Sequence, residues 1–108
     1  EGLQQNARQM GNRLLSGLRR LQTKHAAIGD VRGMGLFIGV DLVTNSVSKG
    51  EATDLARYVK NRMRAHRILL GSEGPKDNIL KIRPPLTITR DDVDMILTIL
   101  DQILTEVN

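Results

Sequence analysis

The stretch NILKIRPPLTITRDD, Asn78–Asp92, decides the fold because it joins a strand, a proline stop and a helix start. Its first half alternates apolar and basic residues, which predicts a strand Ile79–Arg83 with Lys81 and Arg83 on one face. The diproline that follows ends strand pairing, because proline has no backbone N–H to donate. Two interpretations stay open for the pair of cations. They bind an anion at a fixed place, or they are solvated charges that protect a sheet edge.

A helix is predicted directly after the diproline. Thr89 is the predicted N-cap, and Asp92, three residues later, completes a variant of the capping box. Apolar residues then recur at helical spacing, at Val93, Ile96, Leu97, Leu100, Leu104 and Val107. The last part of the sequence therefore predicts an amphipathic helix.

A loop, a short strand and a second helix are predicted upstream of this stretch. Ser72–Asn78 is rich in turn-forming residues and predicts the loop, while Ile68–Gly71 predicts the strand. The second helix follows a polar loop at Thr44–Thr53 and should end near His66. Its inward stripe is Ala52, Leu55, Ala56, Val59 and Met63.

The segment AIGDVRGMGLFIGVDLV, Ala27–Val43, predicts two strands, Ile28–Val31 and Leu36–Val43, connected through Arg32–Gly35. The second strand is nearly all apolar and rich in branched side chains, which is typical of a strand buried on both faces. The Gly-x-Gly of the connection is a weak phosphate signature, because no third glycine opens a helix after it. We therefore expect a turn at this place.

A first helix is predicted from apolar residues that share one helical face, at Leu3, Ala7, Met10, Leu14, Leu18 and Leu21. Gly11 and Gly17 interrupt it, each at a cost of about 1 kcal/mol relative to alanine. They indicate close packing against another element, or the truncated end of a longer helix. Together these patterns predict a single α+β domain over residues 1–108, in which three helices cover a small mixed or antiparallel sheet of about four strands.

The composition excludes several classes of function. Cysteine is absent, which excludes disulfides and thiolate chemistry. No apolar run has the length of a bilayer span, so no membrane contact is expected. His25 and His66 have no second ligand at metal spacing, and we predict neither a metal site nor a self-sufficient catalytic set.

A basic binding module is the alternative from a different class of function. The net charge of +4 is compatible with binding to nucleic acid or another acidic partner. An aromatic content of only 2% argues against base stacking on single strands, so we expect no nucleic-acid partner. A DNA titration at several salt concentrations separates the alternatives, because phosphate contacts give a steep salt dependence.

Two segments resemble one known family. DVRGMGLFIGVDLV, Asp30–Val43, and ILLGSEGPKDNILKIRPPLTITRDDVDMIL, Ile68–Leu97, are similar to the C-terminal small domain of class III, fold-type I aminotransferases. The resemblance extends from about Leu3 to Val107. The sequence of Leu69–Leu86 is most similar to the branch of the family that contains alanine–glyoxylate aminotransferase type 2 and the phospho-lyases of phosphoethanolamine and phosphohydroxylysine.

This resemblance implies an enzyme that uses pyridoxal 5'-phosphate (PLP) and a homodimer with its active site between a large domain and this small one. The sequence begins at Glu1 inside a helical pattern, and we expect a fragment that lacks the large domain. The Schiff-base lysine and the cofactor contacts would lie in that large domain, so no catalytic or cofactor-binding residue is expected here and the isolated chain should be inactive.

The implied reaction moves an amino group between an amino acid or amine and a 2-oxo acid. A lyase reaction on a phosphorylated amine, within the same family, is the alternative. We expect a cytoplasmic location, with a mitochondrial one as the alternative.

The same resemblance implies a role for Lys81. In many relatives the strand before the diproline carries an arginine that holds the substrate α-carboxylate, and Lys81 occupies that position here. Lysine lacks the planar fork of arginine, which favours a phosphate or a water-mediated contact over a plain α-carboxylate. Lys81 and Arg83 are therefore the predicted substrate-binding residues.

Overall fold

A computed structural model describes residues 2–43, 53–65, 71–73 and 78–106 of the chain. Its elements in chain order are α1 (Leu3–Lys24), β1 (Ile28–Met34), β2 (Phe37–Leu42), α2 (Thr53–Ala65), β3 (Gly71–Glu73), β4 (Ile79–Ile82) and α3 (Arg90–Glu106). The four strands form one antiparallel sheet in the order β1-β2-β4-β3. The α+β class predicted from the sequence is confirmed. Within the described residues, no helix combines the length and the apolar character that a membrane span requires.

The helices cover only one face of the sheet. In β2 the side chains of Ile38, Val40 and Leu42 point into a single apolar core shared with all three helices. The alternate residue Phe37 is 65% exposed on the other face. The expectation that residues 36–43 are buried on both faces is therefore wrong, because none of the helices and strands that the structure describes covers the open face.

The hairpin between β1 and β2 turns later than its glycines suggested. Arg32 and Gly33, assigned to the connection from sequence, continue β1 and pair with Gly39 and Ile38 of β2. The turn is made at Gly35, whose φ of 58° lies in the left-handed region that glycine enters without strain. The predicted connection Arg32–Gly35 was wrong because only its last glycine is required by the turn.

Glycines bring α1 close to its neighbours, as the sequence indicated. A Cβ atom at Gly11 would lie 2.1 Å from the carbonyl oxygen of Gly35 in the hairpin turn. A Cβ atom at Gly17 would lie 2.2 Å from Cδ1 of Leu97 in α3. Close packing of both glycines is confirmed, and it offsets their cost in helix propensity.

The capping box at the start of α3 is confirmed. The backbone N–H of Thr89 donates to Oδ2 of Asp92 at 3.1 Å, and the N–H of Asp92 donates to the Thr89 hydroxyl oxygen at 3.2 Å. Within α3 the inward side chains are Val93, Ile96, Ile99, Leu100, Ile103 and Leu104.

The start of α1 holds the segment that follows the diproline. The side-chain amide of Asn6 donates to the carbonyl oxygens of Leu86 at 2.8 Å and Ile88 at 2.9 Å. Further along the two helices, Nε and Nη2 of Arg13 each donate to the carboxylate of Asp94 at 2.9 Å. These contacts fix the exit from β4, and with it the direction in which β4 presents its open face.

Parts of the predicted elements lie outside the described residues. Of the strand expected at residues 68–71, only Gly71 lies among the described residues. β3 continues to Glu73, so the prediction that the loop starts at Ser72 is wrong, because Ser72 and Glu73 pair with β4. Ala52, His66 and Val107 also lie outside the described residues.

Candidate functional site

The open face of the sheet carries a row of residues that crosses three strands. The register pairs Arg32 of β1 with Gly39 of β2, and Gly39 with Lys81 of β4. Neighbouring strands are spaced by about 4.8 Å, so the Cα atoms of Arg32 and Lys81 are about 10 Å apart. Gly39 lies between the two cations and has no side chain, so the surface of the sheet is depressed between Arg32 and Lys81.

A shallow pocket of about 400 Å³ lies over this row. It is lined by Arg32, Gly33, Phe37, Ile38, Gly39, Ile79, Lys81 and Arg83. The structure thus brings the two predicted substrate-binding residues, Lys81 and Arg83, to one pocket on one face, and their role as ligands stays a prediction. The described residues that line the pocket include three cations and no carboxylate, and one of the cations, Arg32, is paired with Asp30 and Asp41 beside the pocket. Lys81 and Arg83 are the cations of the lining that favour an anionic ligand.

Arg32 is the cation that sequence reasoning missed. Its Nη1 donates to Oδ1 of Asp41 at 2.9 Å and to Oδ2 of Asp30 at 3.0 Å. The hydrogen bond with Asp41, more than that with Asp30, raises the pKa of the Arg32 guanidinium above its ordinary value. Two carboxylates therefore orient the Arg32 guanidinium, which is charged near neutral pH as arginines are. The alternation of Asp30 and Arg32 could have indicated that both lie on the exposed face of one strand. The glycines after Arg32 instead predicted a turn at this position.

Arg83 lies on an aromatic platform at the end of the pocket. Its Cζ atom is 4.9 Å from the centroid of the Phe37 ring, within the range of a cation–π contact. The pairing of Ile38 with Ile82 places Phe37 and Arg83 opposite each other across β2 and β4. This contact accounts for an exposed phenylalanine and limits the directions that the Arg83 side chain can take.

The described residues that line the pocket include no histidine, hydroxyl or carboxylate side chain, and its cations can bind and orient an anion. His25 lies away from the pocket, 2% exposed, with Nε2 2.7 Å from Oδ1 of Asp101. Among the residues that the structure describes, no group of three potential metal ligands is found. The arrangement can hold an anionic group and aim the molecule that carries it.

Comparison with known proteins gives consistent matches over nearly the whole chain. The family model described as Aminotransferase class-III matches residues 1–104. An alanine–glyoxylate aminotransferase 2-like protein of Drosophila melanogaster is 42% identical in an alignment 108 residues long, which covers 99% of this chain and 22% of that protein.

Solved structures match as well. A phospholyase from Arthrobacter in complex with phosphoethanolamine has a TM-score of 0.91 and 34% identity, covering 97% of this chain and 25% of that one. An amine transaminase from an uncultivated Pseudomonas species, in its PLP-bound form, has a TM-score of 0.85 and 29% identity, covering 100% of this chain and 24% of that one. The chain thus spans about a quarter of the length of the relatives that it matches.

Proposed function

Since the chain belongs to the class-III aminotransferase family, we propose that it is the C-terminal, substrate-side domain of a PLP-dependent aminotransferase. The full-length enzyme would transfer an amino group between an amino acid or amine and a 2-oxo acid. The proposal rests on the pocket lined by Arg32, Lys81 and Arg83, because an amino-acid donor and a 2-oxo-acid acceptor each bear a carboxylate that cations can bind.

The cofactor is proposed to bind outside this chain. PLP supplies an electron sink when bound, and the protein orients the substrate against it. The pocket described here does not fit that group, because its described lining offers no carboxylate for the pyridine nitrogen and the nearby Asp41 is engaged by Arg32. We therefore expect the 108-residue chain alone to bind no PLP covalently. Borohydride treatment with PLP followed by mass analysis checks this, and one stoichiometric pyridoxyl adduct on a single lysine would contradict it.

Lys81 is proposed to hold the acidic group of the substrate. It lies at the centre of β4 on the open face, and β4 is hydrogen-bonded to a strand on each side. The backbone under Lys81 is therefore fixed, which a positioning contact requires. Arg83 stands at the end of the strand and is occupied by its contact with Phe37, so we assign it the smaller share of binding.

A lyase reaction on a phosphorylated amine is the second candidate. The observation that favours it is the ammonium of Lys81 in a pocket with two guanidinium groups, because a phosphate carries more charge than a carboxylate. The similar Arthrobacter phospholyase was solved with phosphoethanolamine. A homodimeric assembly and a cytoplasmic location, both expected from the sequence, are proposed on family resemblance alone.

Kinetics of the full-length enzyme test the role of Lys81. Lys81→Ala removes a charge-assisted contact, so kcat/KM for an acidic amino donor should fall by about ten- to a hundredfold. Arg83→Ala is the matched control on the same face and should cause the smaller loss. The absorbance of bound PLP should be the same in both variants. Unchanged kcat/KM in Lys81→Ala would leave the cations as solvated charges of a sheet face.

A further inference from the structure

Gly39 is placed where a glycine weakens the fold. It lies inside β2, which is hydrogen-bonded to β1 on one side and β4 on the other. Glycine in the interior of a strand loses more conformational freedom than other residues and contributes no side chain to packing. A destabilising residue at this position needs a structural or a functional explanation.

The backbone conformation does not require it. Among the described residues only Gly2 and Gly35 have positive φ. The other common cause is lack of space, and that too is absent at this position. A Cβ atom at Gly39 would meet Cγ2 of Ile79 at 3.6 Å and Cζ of Arg32 at 3.9 Å, which are ordinary van der Waals contacts.

Other glycines of the same sheet differ in this respect. A Cβ atom at Gly29 would lie 2.7 Å from Cγ1 of Val43, and one at Gly33 would lie 2.9 Å from Cγ1 of Ile38. Both contacts are too close for a side chain without local movement. The fold therefore has steric reasons for Gly29 and Gly33 and none for Gly39.

What the missing side chain leaves is space inside the pocket. Gly39 forms the pocket floor between Arg32 and Lys81, its two partners in the cross-strand row. The Arg32 guanidinium reaches over this floor, with Cζ and Nη2 each 3.9 Å from the position of a Cβ atom. Hydrogen bonds to Asp30 and Asp41, at 3.0 and 2.9 Å, hold the Arg32 guanidinium at this place.

We propose that Gly39 is a specificity-determining residue that admits the oxyanion group of the substrate, a carboxylate or a phosphate, between Arg32 and Lys81. The proposal rests on the proposed function, in which Lys81 binds the acidic group. It adds Arg32 as a second cation of the site, opposite Lys81. It also assigns to Gly39, which lies between them, the selection of substrates by the size of their acidic group. A Cβ atom at this position takes part of the space that the oxyanion needs, while it meets its neighbours only at ordinary van der Waals distances.

Substitution of Gly39 in the full-length holoenzyme tests the proposal. Gly39→Ala and Gly39→Val introduce side chains of increasing size. The Tm of Gly39→Ala should stay equal or rise, because its Cβ atom meets only ordinary van der Waals contacts and glycine is unfavourable inside a strand. The readout is the ratio of kcat/KM for a donor with an acidic group to that for a primary amine without one. L-alanine, phosphoethanolamine and propylamine supply the carboxylate, the phosphate and the uncharged reference.

The expected result is a stepwise loss of preference for the acidic group. The ratio should fall severalfold in Gly39→Ala and by about tenfold or more in Gly39→Val, mainly through KM. If the site is sized for a phosphate, the L-alanine ratio should fall less than the phosphoethanolamine ratio in Gly39→Ala. Gly29→Ala is the matched control in the neighbouring strand, and it should lower Tm without changing either ratio.

A binding measurement keeps the test independent of turnover. Inorganic phosphate and propionate, added at millimolar concentration, should raise the Tm of the wild-type holoenzyme, and Gly39→Val should reduce that shift. An unchanged shift and unchanged ratios in Gly39→Val would overturn the proposal. An equal loss for all donors together with a lower Tm would also overturn it, because Gly39 would then face protein. Lys81→Ala, measured in parallel, distinguishes a failure of the proposed anion site from a failure of the inference about Gly39. If it has no effect, the proposed anion site fails, and if it alone has an effect, only the inference about Gly39 fails.

Discussion

Arg83 rests on the ring of Phe37, and the 4.9 Å between its Cζ atom and the ring centroid makes this contact the connection between β2 and the residue before the diproline. Cation–π contacts at exposed sites are worth about 0.5–1 kcal/mol. We expect a coupling free energy of that size in a double-mutant cycle of Phe37→Ala and Arg83→Ala, measured by urea denaturation of the 108-residue chain. Additive effects of the two substitutions would mean that the residues are neighbours without interaction.

Thr89→Ala should lower the free energy of unfolding by about 1 kcal/mol, because one half of the capping box at the start of α3 is lost. Urea denaturation measures the change. Thr87→Ala is the matched control, since Thr87 is exposed and precedes the capping box, and it should stay within about 0.5 kcal/mol of the wild type. An unchanged midpoint for Thr89→Ala would show that the cap contributes nothing to stability.

Gly11→Ala should destabilise the domain although alanine is the better helix former by about 1 kcal/mol. The new Cβ atom would lie 2.1 Å from the Gly35 carbonyl oxygen, and a backbone atom cannot move aside as a flexible side chain can. We expect a net loss of about 1–3 kcal/mol, seen as a lower Tm. Asn12→Ala, at the next and exposed position of α1, should have the opposite sign.

Asp101 should make the stability of the domain depend on acid pH. Hydrogen bonds from His25 and, to a smaller degree, Lys24 lower the pKa of the Asp101 carboxyl from its ordinary value. A lowered pKa in the folded state gives a contribution that is complete above the unfolded pKa of about 3.9 and lost as pH falls through the folded value. Asp101→Asn should therefore flatten the fall in stability below about pH 5. Lys24→Gln should flatten it less, and equal slopes in Asp101→Asn and wild type would contradict the assignment.

Lys81→Arg in the full-length enzyme should separate the two candidate functions. Only the guanidinium offers a planar fork to a carboxylate, so turnover of a carboxylate donor should improve. A phosphorylated donor should change little, because an ammonium already serves a phosphate as a point charge. Steady-state kinetics with both donors decides between them, and equal changes would indicate that Lys81 does not contact the acidic group.

The period of two in residues 79–83 was sufficient to place Lys81 and Arg83 on one face, because alternation in a strand leaves no other arrangement. The family resemblance of Asp30–Val43 and Ile68–Leu97 is likewise confirmed. The start of α3 was predictable from local spacing for the same reason. These features depend on neighbours in sequence only. The predicted stripes were wrong at Leu3, which is 41% exposed, and they omitted Ile99 and Ile103, which are buried in α3.

Arg32 was not predictable in this way, because its assignment to β1 depends on which of three nearby glycines makes the turn. The choice of Gly35 follows from tertiary packing, since Gly11 of α1 approaches that turn and no local pattern records the approach. The open face of β2 has a similar explanation. An apolar run predicts burial, but the number of layers that cover it is decided by the rest of the fold.

The contacts between α1 and the segment that ends in α3 have a consequence for biosynthesis. Asn6 and Leu86 are 80 residues apart, and Arg13 and Asp94 are 81 apart, so α1 is without these partners until residues 86–94 have been translated. The entropy cost of closing so long a loop has to be met before the contacts between α1 and α3 can form, and topology of this kind slows folding. A ribosome that pauses before Arg90–Glu106 would therefore expose the apolar stripe of α1, and chaperone demand should peak in that interval.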